Sequence, residues 1–572
     1  MAGTSFSLNF GTLAESPVKP AIKRFRIALL GDFSGRAARG EMEIGEDLMR
    51  RRPIKFDIDT VEKIIADFAT DLVLPIGKKG QGIEVSLSGL EDLHPDELFG
   101  KVEMFEELVA LKRRLAAGAT AKGTVTELRE WGKQYGKKVN PPARKSAGNS
   151  VPSDIKLSDF ARLTGRKSKA KATPAEELMA RVVGPHIQAL PDPNAAAMQE
   201  AVEESLAEAM RLVLHHPEFQ SVEAQWRMLD LIARNVETDQ KLDIVLYDIS
   251  AEELAADLAA HDDLTQSGFC QLLVEGTPDG RGAFTSICGL YTFEETPPHA
   301  ELMGRIAKVA AHVRTPFFAA ITPTFLDTKM EDRHPLVAEA WDALREMPEA
   351  AYIGLVSPRF LLRRPYGAKS EPIYEFDFEE FTETEGLSGM LWANPVALVT
   401  ILLAQSFRKN GPSMQLGTIM SLGGMPYHYV KDRWGDQVAL PCTERNLTQA
   451  KTQAALARGY IPVISVKGRD EVRLGSFNAL NGAPIQGYWA GMPPPQPKEE
   501  VKPSFDEASE DSASEETADE GTGDSELDDL LAGFGADFGS SDDESSSEDD
   551  SSEESGGEDE MDAELAALLA SL

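Results

Sequence analysis

Three places in the sequence carry side chains that could do chemistry. Asp32 follows a short apolar run and could act as a general acid or base, but no partner acid or base lies near it, so the sequence favours a turn. His215 and His216 could ligate a metal, but adjacent residues point to different faces of a helix, which favours a cap or an exposed pair. Residues 77–80 (GKKG) lack the spacing and the Ser/Thr of a phosphate-binding loop.

Other charged and aromatic residues also lack a catalytic pattern. Residues 363–367 (RRPYG) could bind an anion or form a buried salt bridge or interface, and the sequence leaves these alternatives open. The acidic pairs 262–263 and 379–380 are interpreted as surface acids or loop caps. The sequence therefore predicts no catalytic residue, no cofactor site and no metal site, and we expect a protein that is not an enzyme. The tryptophans are predicted to be core anchors rather than a stacking platform, and they are Trp226, Trp341, Trp392 and Trp434.

Charge and cysteine content exclude further classes. The chain has 572 residues and a formal charge of −36, so a coat of nucleic acid, which needs excess positive charge, is disfavoured. Its three cysteines show no CxxC spacing, which fits free thiols in a reducing compartment. No secretory signal is visible, and the longest apolar stretch is too short for a membrane span. We therefore expect a cytoplasmic protein that neither binds nucleic acid nor inserts into a membrane.

The elements that would position these residues indicate a mixed α/β (α+β) protein. Apolar residues that recur at helical spacing alternate along the chain with short apolar runs that are typical of strands. The predicted strands are 25–30, 83–87, 242–249, 269–274, 284–293, 317–321, 352–356, 438–441, 461–467 and 473–477. The predicted helices are 95–115, 126–135, 197–215, 223–236, 251–260, 299–313, 335–345 and 391–409, together with one capped by Asp59.

Composition divides the chain into five parts. A flexible arm (1–22) precedes a first α/β unit (23–115), which is followed by a basic linker with some helix (116–200). A larger α/β unit (201–490) then leads into a disordered acidic tail (491–572). From Pro503 to the end there are 26 acidic residues and no Lys or Arg. The basic linker and the acidic tail could associate with each other or remain independent, and the sequence favours neither alternative.

Two apolar islands interrupt the acidic tail. Each places its apolar side chains at the i, i+3, i+4, i+7 spacing of an amphipathic helix, the form of a segment that folds into a partner's groove. We predict that they bind a partner, the alternative being chance clustering in a low-complexity tail. The candidate partner-binding residues are Leu527, Leu530, Leu531, Phe534, Met561, Leu565, Leu568, Leu569 and Leu572.

Two regions resemble the two sheath proteins of bacterial type VI secretion systems. Residues 26–36 (RIALLGDFSGR), 51–57 (RRPIKFD) and 90–98 (LEDLHPDEL) resemble the small sheath subunit, TssB (VipA-like), over about 23–115. Residues from about 203 to 485 resemble the large sheath subunit, TssC (VipB-like). The motifs that carry this second resemblance are 216–227 (HPEFQSVEAQWR), 235–239 (NVETD), 352–367 (YIGLVSPRFLLRRPYG), 376–380 (FDFEE) and 391–394 (LWAN). The chain therefore resembles a fusion of the two subunits.

The resemblance implies a structural protein that self-associates into a helical, contractile sheath around a tube of Hcp rings. It also implies contacts with baseplate proteins and recycling by a AAA+ ATPase. Two departures bear on these implications. The sequence passes into the acidic tail at the point where the large subunit has a further region that connects neighbouring subunits. The segment that the ATPase would grip is internal in this sequence, near 174–199. A non-polymerising accessory that caps, initiates or tethers a sheath is therefore the alternative.

Overall fold

The structure is a computed structural model of the whole chain. It describes residues 8–13, 24–77, 82–116, 121–135, 195–275, 284–382, 384, 386–431, 437–487 and 489. The nine tail residues predicted to bind a partner, and Trp434, lie outside the described residues.

The described strands and helices alternate along most of the chain. The strands are β1 (Phe25–Gly31), β2 (Ile54–Phe56), β3 (Thr70–Leu74), β4 (Ile83–Leu87), β5 (Leu242–Asp248), β6 (Ser286–Phe293), β7 (Phe317–Ile321), β8 (Ile353–Ser357), β9 (Phe360–Leu361), β10 (Trp392–Ala393), β11 (Ser421–Gly423), β12 (Tyr429–Lys431), β13 (Gln437–Ala439), β14 (Tyr460–Ser465) and β15 (Glu471–Leu474). The α-helices are α1 (Arg36–Arg39), α2 (Glu46–Met49), α3 (Val61–Phe68), α4 (Pro95–Lys101), α5 (Glu103–Ala116), α6 (Ala121–Gln134), α7 (Ala195–Leu214), α8 (Pro217–Asn235), α9 (Ala251–Ala260), α10 (Gly268–Glu275), α11 (Pro297–His312), α12 (Pro335–Glu346), α13 (Val396–Asn410) and α14 (Gln449–Ala457).

A nine-stranded mixed sheet organises the described part of the chain. Its strand order is β11-β15-β14-β8-β7-β6-β1-β5-β2. The six strands from β14 to β5 are parallel, and antiparallel strands flank them on both sides. The predicted mixed α/β class is confirmed. Strand β1 lies in the parallel part, and all seven of its residues are buried, as expected of a strand covered on both faces.

The side chains of β1 alternate between two hydrophobic cores. Ile27 and Leu29 point into the core that contains α8 and the almost wholly buried α13. Ala28 and Leu30 point into the core formed with α9, α10, α11 and α12. This alternation follows from the period of two in a strand. One strand near the chain start therefore supports both layers of helices.

Several sequence predictions differ from the structure, and three of the differences have a clear local cause. The run 269–274 is not a strand but lies in α10, because Ser267 caps this helix by accepting the Cys270 N–H, and Asp257 accepts the N–H groups of Gly268 and Phe269. Short apolar runs fit either structure, and here the caps decide.

The other two differences concern helix ends. The helix predicted over 95–115 divides into α4 and α5, because Val102 adopts an extended conformation. Helix α3 begins at Val61 after Thr60, so Asp59 is not its cap.

Candidate functional site

The described part of the chain contains an extensive interface between two stretches of its sequence. We call residues 8–135 the N-terminal segment and residues 195–489 the C-terminal segment. Strand β1 pairs with β5 on one side, in a register that runs from Phe25↔Leu242 to Gly31↔Asp248, and it pairs with β6 on the other side. The Phe25 N–H donates to Lys241 O at 2.7 Å and the Thr285 N–H donates to Arg26 O at 2.8 Å. Backbone hydrogen bonds on both edges of β1 therefore join the two segments.

A buried ion pair lies across this pairing. Arg26 and Asp243 face each other in the β1–β5 register, and Arg26 Nη2 lies 3.0 Å from Asp243 Oδ2. The backbone N–H of Arg26 also donates to Thr285 Oγ1 at 3.0 Å. A buried charge is tolerated only when it is paired, so this ion pair makes the register of β1 specific.

The turn after β1 is fixed by two carboxylates. Asp32 accepts the N–H groups of Arg36 at 2.6 Å and Ala37 at 3.1 Å, which confirms the predicted turn. Burial raises the pKa of the Asp32 carboxyl above its usual value, although these hydrogen bonds oppose the rise. Asp248, at the end of β5, accepts the Phe33 N–H at 2.8 Å. The turn of the N-terminal segment is therefore held by a residue of the C-terminal segment.

Glu253 forms ion pairs with two arginines of the N-terminal segment. The guanidinium of Arg36 lies 2.9 Å from Glu253 Oε1 and that of Arg51 lies 3.1 Å from the same oxygen. Glu253 is fully buried and also forms a capping box with Ser250 at the start of α9. Burial acts to raise the pKa of Glu253, but hydrogen bonds from Arg36, Ser250 and Arg51 lower it below its usual value. Glu253 is therefore a charged anchor of the interface.

A second ionic cluster surrounds Arg363. Its Nε lies 2.7 Å from Glu223 Oε1, and its Nη1 lies 2.6 Å from Glu380 Oε2. The Tyr366 N–H donates to Glu380 Oε2 at 2.7 Å, and the Arg363 guanidinium lies 4.2 Å from the centre of the Tyr366 ring. Burial acts to raise the pKa of Glu380, but the charge of Arg363 lowers it to about 2.

This cluster decides between the alternatives left open for residues 363–367. The guanidinium of Arg363 is occupied by carboxylates of the same chain, so this arginine forms a buried salt bridge. The interpretation of Glu380 as a surface acid is wrong, because its side chain is buried, whereas Glu379 is exposed as predicted.

The loop that carries the Arg363 cluster also contacts the N-terminal segment. The ring of His94 meets Tyr366 edge-on with centroids 5.1 Å apart, and Phe99 stacks on Phe376 at 5.0 Å. Asp96 accepts the Tyr374 N–H at 3.1 Å. The interface thus continues from the sheet to α4.

The remaining candidate residues have structural roles. His216 caps α8 by accepting the Glu218 N–H at 3.4 Å, as the prediction of a cap allowed, while His215 lies 3.7 Å from Glu380. Trp226, Trp341 and Trp392 are buried, which confirms them as core residues. The cysteines are free and buried, namely Cys270, Cys288 and Cys442.

Two further properties of the described residues bear on function. Within these residues, no group of three or more His, Cys, Asp or Glu is placed to hold a metal ion. None of the described helices is both long enough and apolar enough to span a bilayer.

Sequence reasoning missed the interface itself. The run 25–30 is apolar without alternation, which is the signal of a strand buried on both faces. A strand of this kind needs a neighbour on each side. The described strands of the N-terminal segment supply none, since β3 and β4 pair with each other and β2 pairs with β5. The signal was therefore present, but the identity of the partner strands is not a local property.

Comparison with known proteins matches each segment to a different family. Residues 196–481 match the VipB family model, described as "EvpB/VC_A0108, tail sheath N-terminal domain". Residues 23–132 match the model described as "Type VI secretion system, VipA, VC_A0107 or Hcp2". A relative from Pseudomonas aeruginosa, named "Type VI secretion system sheath protein TssC1", is 32% identical over 290 residues. The alignment covers 47% of this chain and 58% of that relative, so the chain spans less than two thirds of its length.

Proposed function

The chain belongs to the VipB family of type VI secretion tail sheath proteins, and from this premise we propose that it is a fused small and large sheath subunit. In this proposal, copies of the chain assemble into the contractile tail sheath around an Hcp tube. It has no catalytic role, acts in the cytoplasm and contacts baseplate proteins at one end of the sheath. Disassembly by a AAA+ ATPase also belongs to this proposal, although the segment that the enzyme would grip is internal in this chain.

One observation carries the proposal: the segment that matches VipA supplies a central strand to the sheet of the segment that matches VipB. Strand β1 pairs with β5 and β6, and the two segments share buried ion pairs such as Arg26–Asp243. Two such segments are structural parts of one protomer. Joining them in one chain fixes a one-to-one ratio and raises the effective concentration of each for the other.

A specific observation favours the accessory alternative. Residues 482–572 lie beyond both family matches, and their last 70 residues carry 26 acidic side chains without a Lys or Arg. Like charges at this density repel when copies stack closely. In this second proposal the chain keeps the two-subunit fold but caps, initiates or tethers a sheath, and its tail recruits a partner.

Negative-stain electron microscopy distinguishes the two proposals. We would image the purified full chain at moderate salt beside a variant that lacks 503–572. A third variant keeps the tail length but replaces its Asp and Glu by Asn and Gln, which separates charge from length. Tubes or stacked rings from the full chain support the sheath. Discrete particles from all three variants would refute self-assembly into a sheath and support the accessory role.

A further inference from the structure

Three arginines of the C-terminal segment lie close together. Arg333 precedes α12, Arg345 lies near the end of that helix, and Arg458 lies between α14 and β14. Their side chains are almost entirely buried, with exposed fractions of 6% for Arg333, 12% for Arg345 and 2% for Arg458. Three guanidinium groups buried in one place need compensating negative charge.

Two carboxylates connect the three arginines. Asp342 Oδ1 accepts from Arg333 Nη2 at 3.1 Å and from Arg345 Nη1 at 2.8 Å. Glu295 Oε1 lies 3.9 Å from both Arg345 Nη2 and Arg458 Nε, which is close enough for an ion pair but too far for a hydrogen bond. Because each carboxylate is shared by neighbouring arginines, the three guanidinium groups adjoin.

The positive charge of this arginine cluster exceeds its negative charge. Burial lowers the pKa of Arg458, although the charge of Glu295 opposes the shift. The charges of Arg333 and Arg345 lower this pKa further. A lowered pKa means that the surroundings disfavour the positive charge. Three cations share two anions here, and one more negative charge would balance them.

Two nitrogen atoms of the arginine cluster have no hydrogen-bond acceptor among the described residues. They are Arg333 Nη1 and Arg345 Nη2, and both atoms are buried. The Nε atoms of the same side chains are occupied, since Arg333 Nε donates to Met330 O and Arg345 Nε donates to Arg458 O, each at 2.9 Å. A buried donor without an acceptor is costly, so these two atoms indicate where an acceptor binds.

The chemistry of the arginine side chain specifies this acceptor. A guanidinium is planar and presents N–H groups whose spacing matches the oxygens of a carboxylate or a phosphate. Such an oxyanion satisfies the unpaired donors and also supplies the balancing charge, whereas a water molecule supplies no charge. The side chain of Asp342 is 48% exposed, so an ion can reach the arginine cluster from solvent on that side.

We propose that Arg333 and Arg345 form a binding site for a small oxyanion of the phosphate or carboxylate class. The oxyanion accepts hydrogen bonds from Arg333 Nη1 and Arg345 Nη2. Arg458 contributes only its charge, because its two Nη atoms donate to the carbonyl oxygens of Phe325 and Thr328. The site lies wholly within the C-terminal segment, so the inference does not depend on whether the protein polymerises.

Equilibrium dialysis of the full chain against radiolabelled inorganic phosphate tests the proposal. Sodium chloride keeps the ionic strength constant, so that the screening of charges does not vary. We expect saturable binding of one phosphate per chain. Unlabelled acetate and unlabelled phosphate are then compared as competitors. Displacement by both at similar concentrations supports a site that also takes carboxylates, whereas displacement by phosphate alone supports a phosphate site.

Substitutions locate the bound anion. Arg333→Gln should lower the phosphate affinity at least tenfold, because it removes a charge-assisted hydrogen bond. Asp342→Asn should raise the affinity severalfold, because it removes the carboxylate that competes for the same two arginines. The matched control is Arg445→Gln, which removes the same charge from a half-exposed arginine that pairs with Asp327, and it should leave the affinity unchanged.

Two outcomes would overturn the proposal. The absence of saturable binding to the full chain would mean that the unpaired nitrogens bond only to buried water. Equal affinities in Arg333→Gln, Asp342→Asn and Arg445→Gln would place the bound phosphate elsewhere. If tryptophan fluorescence shows that Arg333→Gln is unfolded, Arg333→Lys replaces it. This variant keeps the charge but presents a single nitrogen, so its phosphate affinity should still fall.

Discussion

Arg363 is buried between two carboxylates, and its charge keeps Glu380 ionised inside the protein. The cluster joins α8, which carries Glu223, to the loop that contacts α4 through Tyr366. A buried ion pair of this kind contributes little to stability compared with apolar side chains of similar volume. The removal of one partner, however, leaves the other charge buried without compensation. The importance of Glu380 therefore lies in what its loss would expose.

Glu380→Gln should lower the free energy of unfolding by about 2–4 kcal/mol at pH 7, since the substitution removes one of the two carboxylates that neutralise Arg363. Urea unfolding followed by tryptophan fluorescence measures the change. Glu379→Gln is the matched control, because its side chain is exposed, and it should change stability little. Equal effects of the two variants would contradict this account of the cluster.

The same variant has a predictable pH dependence. The pKa of Glu380 is lowered from 4.5 to about 2 in the folded protein. A lowered pKa contributes stability that is fully present above the unfolded-state value and is lost as the pH falls through the folded-state value. The difference between the natural protein and Glu380→Gln should therefore shrink when urea unfolding is repeated at pH 3.5. A difference that stayed constant would mean that the pKa of Glu380 is not lowered in the folded protein.

At the scale of elements, β1 is the structural link between the two segments. Leu29 is fully buried at its centre, so Leu29→Asp would place a carboxylate in an apolar core. We expect a loss of at least about 4 kcal/mol and an insoluble or unfolded full chain. Val73→Asp introduces the same side chain on an exposed strand position and should remain soluble.

A divided chain makes the role of β1 specific. When residues 1–135 and 195–572 are co-expressed as separate chains, they should co-purify, because every interface contact described above joins them without the linker. Leu29→Asp in the first chain should abolish co-purification, whereas Val73→Asp should preserve it. Recovery of residues 195–572 alone as a soluble, folded protein would contradict the account, since β5 and β6 would then lack their common neighbour.

The elements themselves were largely predictable from sequence, and the sheet was not. Local signals place α9 over its whole length and β7 likewise, because caps and apolar runs are local. The strand predicted over 269–274 was wrong, because the start of α10 is capped in part by Asp257, which lies eleven residues before Gly268. The pairing of Arg26 with Asp243 spans 217 residues, and no local pattern encodes a partner at that distance. Glu380 was misinterpreted because its partner, Arg363, lies 17 residues earlier in the chain and is itself paired with Glu223 of α8, 140 residues away.

At the scale of the whole molecule, charge is distributed very unevenly. The tail from 503 onward holds 26 acidic residues, which leaves 68 acids and 58 bases in the rest of the chain. Segments with strong charge of the same sign repel one another. We expect the tail to bind a partner either through its apolar islands or through complementary charge on the partner. These possibilities make different predictions for substitutions that leave the charge unchanged.

Leu568, Leu569 and Leu572 share one face of a helical projection, so replacing all three by Ser removes the apolar face and keeps every charge. We expect this variant to lose at least one partner in an affinity pull-down from the native host, compared with the unaltered chain by quantitative mass spectrometry. Replacing Ala563, Ala567 and Ala570 by Ser alters the opposite face and should leave the partners in place. Identical profiles for both variants would exclude the terminal island as a docking helix, because a partner held by charge alone does not distinguish the two faces.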